Sequence, residues 1–286
     1  MSESDRTAAS GVLLVAKPPG VTSHDVVERV RGLLVARGAK VGHAGTLDPF
    51  ATGLLVVLIG QATRFQRYFM GLPKAYAATA QIGAVSDSGD PTGTIRETGR
   101  RTGPDEIRAA AARLVGEIRQ KVPLTSAVKV GGERLYRKAR RGEHFETPTR
   151  TVMITRLEVT SFDEARQRAA LAIECSSGTY VRQLIADLGE LCGTGAYCAE
   201  LIRTAIGPLR LDAADERRLI PLAEALSFLP ERVLDAGEER LVRDGRPLER
   251  GAEPDARQVR LTAGGELVAV AEPRDGILKP VTVIPR

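Results

Sequence analysis

Cysteine is scarce in this chain: three among 286 residues, Cys175, Cys192 and Cys198, with no paired CxxC spacing. An odd number placed this way argues against a disulfide framework and against structural zinc, and points to a reducing compartment. Long apolar runs are missing too. The longest, Leu54 to Ile59, is far too short to span a bilayer, and the polar residues Met1 to Ser10 lack the apolar centre of a signal peptide. Glycine-rich nucleotide loops and metal-ligand spacings are also absent. The expectation is a cytoplasmic protein with no membrane contact and a loose tail over residues 1–10. What the chain does have is 43% hydrophobic residues, enough to fill a core without staples, over a length that allows one large domain and a small one.

The formal net charge is +5, weak evidence of an anionic partner by itself. Its distribution says more. Lys121 to Arg150 holds eight Lys or Arg against three Glu, which is the whole surplus of the chain, and interleaves Tyr136, His144 and Phe145 with it. A solvated helix face is the plain reading of such a run, but charge mixed with aromatics fits a phosphate backbone better.

Along the chain, Gly11 to Lys17 reads as a strand stopped by Pro18-Pro19-Gly20. Thr22 or Ser23 then caps a helix with Val26, Val27, Val30, Leu33 and Leu34 on its apolar face. Tyr76, Ala78, Ala80 and Ile82 alternate as a strand, Ser86 to Gly103 reads as a long surface loop, and Pro104 opens a helix to about Ile118. Thr151 to Thr160 and Arg168 to Cys175 are strand-like, and Ser177-Gly178 opens a helix from Thr179 to about Leu191. The pattern loosens near Pro221 to Glu231. Two hairpin signals follow, at Thr262-Ala263-Gly264-Gly265 and Pro273-Arg274-Asp275-Gly276, marking a small β module. Without a regular βαβ repeat, the class is α+β, with a mixed, largely antiparallel sheet.

The most informative stretch is Gly42-His43-Ala44-Gly45-Thr46-Leu47-Asp48-Pro49-Phe50-Ala51-Thr52-Gly53-Leu54-Leu55. It puts one carboxylate, Asp48, in a glycine-punctuated turn at the mouth of a buried strand, where a nucleophile belongs. Taken alone, Asp48-Pro49 is a turn whose side chain bonds nearby backbone N–H groups. The whole string, however, resembles the catalytic motif of the TruB family of tRNA pseudouridine synthases. Lys17 to Asp25, Lys74-Ala75-Tyr76, Ser126 to Val130 with Leu135-Tyr136 and Ala139 to Gly142, Gly178 to Arg182, and Leu201 to Gly207 follow in the family's order, so the likeness runs from about Gly11 to Leu211. The chain departs from the family pattern at Leu124, usually proline, and at Ile202, usually basic, where phosphate contacts are affected.

The resemblance implies a catalytic domain over 11–225, with 121–150 as an RNA-binding insertion, and a PUA-like β domain over 226–286. It implies isomerisation of uridine 55 in the T loop of tRNA, with the base detached, turned and reattached through carbon, a reaction that needs no cofactor or metal. Asp48 carries over as nucleophile, and attack on the ribose or on the base remains open. Desolvation pushes a buried carboxylate toward its neutral form unless an opposite charge faces it, and Arg182 carries over as that charge. Tyr76 is implied to stack on the target base and to take part in proton transfer, and His43 to fill the gap left by the everted base. Tyr180 and Leu201 would wall the pocket, while Lys17, Lys129, Arg137 and Arg141 would meet the RNA. A monomer acting on the T-loop arm without an obligatory protein partner is expected. Rival readings are a relative guided to other RNAs by partners, an RNA-binding protein with a vestigial site, and a hydrolase; the last lacks a second carboxylate beside Asp48.

If the basic segment binds phosphates, affinity for tRNA falls steeply with salt. Neutralising Arg137, Lys138, Arg140 and Arg141 together should flatten the slope of log K against log salt by about 3. A filter-binding series in increasing KCl measures it, and an unchanged slope would place those charges in solvent.

Overall fold

The computed structural model describes residues 10–34, 40–123, 129–130, 133–134, 147–251 and 256–285. Of the expected tail only Ser10 falls within them, Lys129 is described only as backbone in a two-residue ladder, and Arg137 and Arg141 lie outside.

From the N-terminal side the elements are β1 (Gly11–Lys17), α1 (Ser23–Leu34), β2 (Val41–His43), β3 (Thr52–Ile59), α2 (Gln66–Met70) and β4 (Lys74–Ile82). A small hairpin, β5 (Ala84–Ser86) and β6 (Ile95–Glu97), precedes α3 (Pro104–Arg113) and β7 (Gly116–Lys121). The short pair β8 (Lys129–Val130) and β9 (Glu133–Arg134) leads to β10 (Thr149–Asp163), β11 (Arg168–Cys175), α4 (Val181–Leu191), β12 (Ala196–Ile206) and β13 (Leu209–Arg210). Most strands join one nine-stranded sheet with the central order β1-β3-β12-β4-β11-β10-β7. Every pairing in it is antiparallel except β3 with β12, where Thr52 and Gly53 lie beside Ile202 and Arg203. The loop carrying Asp48 therefore enters the sheet at its single parallel junction.

Both faces of β3 are covered, which is why its sequence is continuously apolar rather than alternating. Leu55, Val57 and Ile59 pack with Val26 and Val30 of α1, while Leu54, Val56 and Leu58 join Phe65, Phe69 and β1 on the other face. Helix α1 is set by a reciprocal cap: Asp25 N–H donates to Thr22 Oγ1 (3.1 Å), and Thr22 N–H donates to the Asp25 carboxylate (2.8 Å). That makes Thr22 the cap and frees the Ser23 hydroxyl for another task. Leu33, expected on the buried face, is 70% exposed. Farther along the sheet, Leu184, Ile185 and Leu188 of α4 pack with Ala78, Ala80, Leu171, Ile173 and Leu201.

Two expectations fail here for identifiable reasons. Helix α3 stops at Arg113, not near Ile118, because Gly116 sits in the left-handed region (φ 109°) and the following residues pair with β10 as an edge strand. Residues 86–103 are not a plain surface loop. They contain the β5–β6 hairpin, and Asp90 in its turn is 4% exposed, held by the hydroxyls of Ser88 and Thr92.

The chain continues through α5 (Leu222–Ala225), β14 (Glu231–Val233), α6 (Ala236–Arg243), β15 (Leu248–Glu249), β16 (Val259–Ala263), β17 (Glu266–Arg274) and β18 (Ile277–Val283), which give a five-stranded sheet ordered β14-β16-β17-β18-β15. Both expected hairpins form, with positive φ at Gly264-Gly265 (59°, 82°) and Asp275-Gly276 (48°, 79°), the twist that suits two-residue turns. The segment expected to be loose is instead packed: Leu222, Ala223, Ala225 and Leu226 are buried in the cluster that joins Leu267 and Val270 of β17 to β1 and β3. Arg260 ties it down by donating to the carbonyls of Ala223 (2.7 Å) and Leu229 (3.2 Å). Across the junction the hydroxyls of Tyr68 and Thr282 lie 2.8 Å apart, and Arg67 donates to both.

Removing one member of that hydroxyl bridge tests whether the two sheets are energetically joined. Tyr68→Phe should cost about 1 kcal/mol in urea denaturation, with the midpoint lowered and the slope unchanged.

Candidate active site

The Asp48 loop spans β2 and β3 and is held from every side. Leu47 and Ala51 are buried in the cluster under α4, and Phe50 packs against it together with Tyr76. The Ser23 hydroxyl accepts from the Leu47 N–H (2.8 Å) and bonds its carbonyl (3.1 Å). Arg203, 1% exposed, donates to the carbonyls of Gly45 (3.0 Å), Thr46 (3.3 Å) and Leu54 (2.8 Å), so it brackets Asp48 on both sides. Its backbone makes the glycine at position 53 necessary: a Cβ there would lie 2.3 Å from the Arg203 carbonyl oxygen, at a φ of 105°. Lys17 closes the far end. Its ammonium donates to the carbonyls of Pro18 (2.9 Å), Val21 (2.9 Å) and Pro49 (3.3 Å), and the residue is 1% exposed. Lys17 was expected to meet RNA phosphate; with all three donors spent on backbone, it is a clamp on the loop. Burial lowers its pKa, against the pull of Asp48.

What the loop presents is a carboxylate facing a guanidinium. Arg182, the second residue of α4, donates from Nε to Asp48 Oδ2 (2.8 Å) and from Nη2 to Oδ1 (3.2 Å), a bidentate pair. Asp48 keeps 33% of its side chain exposed, whereas that of Arg182 is 4% exposed. The remaining edge of the guanidinium is not idle: Nη1 donates to the Ser88 carbonyl (2.6 Å) and to Asp90 Oδ2 (3.0 Å). One cation thus serves two carboxylates, Asp90 enclosed and Asp48 open toward solvent. A second carboxylate, looked for beside Asp48 in the sequence, comes from the β5–β6 turn and is separated from Asp48 by the arginine.

The other expected residues gather around this pair to different degrees. Tyr76 on β4 lies opposite Arg203 of β12 and Ile173 of β11, half-buried, and burial pushes its phenol up to about 12, so it is protonated at neutral pH. Leu201, 6% exposed, sits opposite Ala78, the next position on that face of β4, and shares the cluster of Leu47 and Ala51. Tyr180 immediately precedes α4, and the Arg150 guanidinium lies 5.2 Å from its ring centre. His43 ends β2 half-buried, with an Nδ1 that has no hydrogen-bond partner. Lys74 turns inward to the carbonyls of Met70 and Leu72, both at 2.6 Å, and burial lowers its pKa to about 8. Ile202, at the position where a basic residue was expected, is 39% exposed.

Sequence reading assigned no role to Asp90 or Arg203. For Arg203 a signal exists: a charge within Leu201 to Ile206, at the period-two position shared with buried Leu201 and Ala205. Asp90 gives none, because the polar stretch around it reads as any solvated turn. Among the described residues no group of three or more His, Cys, Asp or Glu is placed to hold a metal, and no helix is long and apolar enough to cross a membrane.

Burial, and then the Arg203 cation, lower the His43 pKa below its usual 6.5. Such a base binds protons more readily in the unfolded chain, so its contribution to stability is lost as pH falls from 6.5 to the folded-state pKa. In an NMR titration of labelled histidines, the resonance removed by His43→Asn should have its midpoint below 6.5; a midpoint above it would contradict a desolvated imidazole.

The chain is similar to known proteins. The family described as TruB family pseudouridylate synthase (N terminal domain) matches residues 31–181. Proteins named tRNA pseudouridine synthase B are similar over nearly the whole chain: that of Arthrobacter sp. (strain FB24) is 42% identical, covering 96% of both chains, and that of Thermobifida fusca (strain YX) is 41% identical, covering 96% of this chain and 98% of the relative. Among solved structures, the fold is similar to one titled "Crystal Structure of a Cbf5-Nop10-Gar1 Complex", with a TM-score of 0.74 at 24% identity over 96% of this chain and 85% of that one. With the motif loop, its arginine partner and the sheet that joins them all in place, the chain belongs to the TruB family of pseudouridylate synthases.

Proposed function

We propose that this protein isomerises uridine 55 in the T loop of tRNA to pseudouridine, as a cytoplasmic monomer that needs no guide or obligatory partner. The observation that carries this reading is the bidentate Asp48–Arg182 pair, with one third of the Asp48 side chain left open to solvent. Asp48 is the nucleophile. Its attack, on the ribose or on the ring, forms a covalent bond and the N-glycosidic bond breaks; the uracil turns; the ring carbon C5 bonds the ribose C1′, the bond to Asp48 breaks and returns the carboxylate, the proton on C5 leaves to base or solvent, and N1 takes up a proton. Atoms and electrons are conserved within the nucleotide. Arg182 supplies the charge opposite the carboxylate, and Asp90 holds the far edge of that guanidinium, so the carboxylate and its partner are oriented before RNA arrives.

Tyr76, protonated on the adjacent strand, stacks on the everted base and presents its hydroxyl to the reacting ring. Leu201 and Tyr180 close the walls, and the neutral imidazole of His43 stacks where the base has left its loop, offsetting an unstacking cost of about a few kcal/mol. The segment 121–150 grips the T-loop arm, and residues 226–286 form a PUA-like domain that holds RNA away from the reaction. Its packing onto β1 and β3 supports a fixed spacing between the two RNA contacts.

Incubated alone with unmodified tRNA, the purified protein should form pseudouridine at position 55, mapped by position. Asp48→Asn should abolish product while leaving the Kd for tRNA nearly unchanged, and residual turnover would end its assignment as nucleophile. Arg182→Lys keeps the charge but cannot hold both carboxylate oxygens and Asp90 at once, so single-turnover rates should fall about 100-fold.

A further inference from the structure

Gln120 is wholly buried (0% exposed), although it sits on β7 immediately before the basic insertion that starts at Lys121. Its side chain behaves as a free peptide group: Oε1 accepts from the Tyr180 N–H (2.7 Å), and Nε2 donates to the Tyr180 carbonyl (3.1 Å). Both bonds can form in only one orientation of the amide. Directly across the ladder from Gln120 stands Arg150, on the strand by which the chain returns from that insertion. Arg150 grips the same turn from its other end, donating from Nη1 to the Gly178 carbonyl (3.1 Å) with its guanidinium over the Tyr180 ring. Gly178 makes room, since a Cβ there would meet Arg150 Nη1 at 3.0 Å, on a backbone with a φ of 84°. Helix α4 has no side-chain cap of its own at Tyr180.

We propose that Gln120 and Arg150 are positioning residues that fix the Gly178–Tyr180 turn, and through it the approach of Arg182 to Asp48. The reaction centre is then tied to the two strands that root the RNA-binding insertion. Tyr180 and Arg182 are two residues apart, so a shift of the turn moves the pocket wall and the guanidinium together. Neither Gln120 nor Arg150 touches Asp48. Their effect falls on orientation, where a displacement of about 1 Å is enough to cost about 100-fold in rate. The inference rests on the roles given above to Asp48 and Arg182.

The test compares wild type, Gln120→Leu, Gln120→Glu and Arg150→Met by single-turnover pseudouridine formation at saturating tRNA, with Kd and Tm measured in parallel. Gln120→Leu should lower the single-turnover rate about 10- to 100-fold, with Kd within about threefold of wild type. Gln120→Glu still accepts from the Tyr180 N–H but, when ionised, cannot donate to its carbonyl, so at pH 8 its rate should fall between the two. Arg150→Met, near the surface and able to fold whatever the fate of the buried variants, should lower the saturated rate about 3- to 10-fold, the scale of one lost hydrogen bond. A lowered Tm with unchanged single-turnover rates in folded Gln120→Leu and Arg150→Met would overturn the proposal and leave both residues as structural supports. An inactive wild type would overturn the assignment of Asp48 itself, and the clamp with it.

Discussion

The structure is organised around one ion pair. A carboxylate enclosed with a nucleobase has to lose most of its water, and in a site of low polarity that loss is costly unless a cation is already in place. Arg182 is that cation, and the rest of its guanidinium is engaged as well: Asp90 and the Ser88 carbonyl take the edge that Asp48 does not use. Because Asp90 is enclosed while Asp48 stays one-third open, the arginine is anchored from behind and holds a solvent-accessible carboxylate in front. Removing either carboxylate would leave the buried guanidinium with the other as its single carboxylate among these two.

Holding that pair in register takes the loop and the turn on either side of it. On the Asp48 side, Ser23, Lys17 and Arg203 bond backbone groups of residues 45, 46, 47, 49 and 54, so Asp48 sits on a loop with little freedom to move. The parallel junction of β3 and β12 brings Arg203 there, and the bare backbone of Gly53 lets the strands meet. On the Arg182 side, the Gly178–Tyr180 turn is held by Gln120 and Arg150. Burial of Lys17 and Arg203 lowers the pKa of each, the electrostatic side of using cations as structural ties.

Much of this was legible in the chain. The apolar stretch Leu54 to Ile59 announces a strand covered on both faces, the alternation of Tyr76, Ala78, Ala80 and Ile82 sets one face of β4, and the paired turn residues of the last sixty positions form the expected hairpins. Periodicity failed where backbone chemistry outweighs side-chain pattern. Gly116 ends α3 before its helical pattern runs out. Leu33 fits the helix period but finds no neighbour to cover it. Asp90 and Gln120 escaped notice because a buried polar group is recognised by its partners, and these lie 92 and 60 residues away in Arg182 and Tyr180.

The amino-acid order by itself determined the α+β class and the closing β hairpins, which rest on local pattern and turn chemistry, and singled out Asp48 and Arg182 through short motifs shared with a family. Only the tertiary structure decided that Lys17 clamps the loop, that one guanidinium joins Asp48 to Asp90, and that the strands rooting the basic insertion also hold the arginine's turn. The physical reason is range. Turns and periodicities act between residues a few positions apart, whereas the desolvated hydrogen bonds that orient a reacting group join distant segments, and they exist only once the sheet has brought those segments within 3 Å.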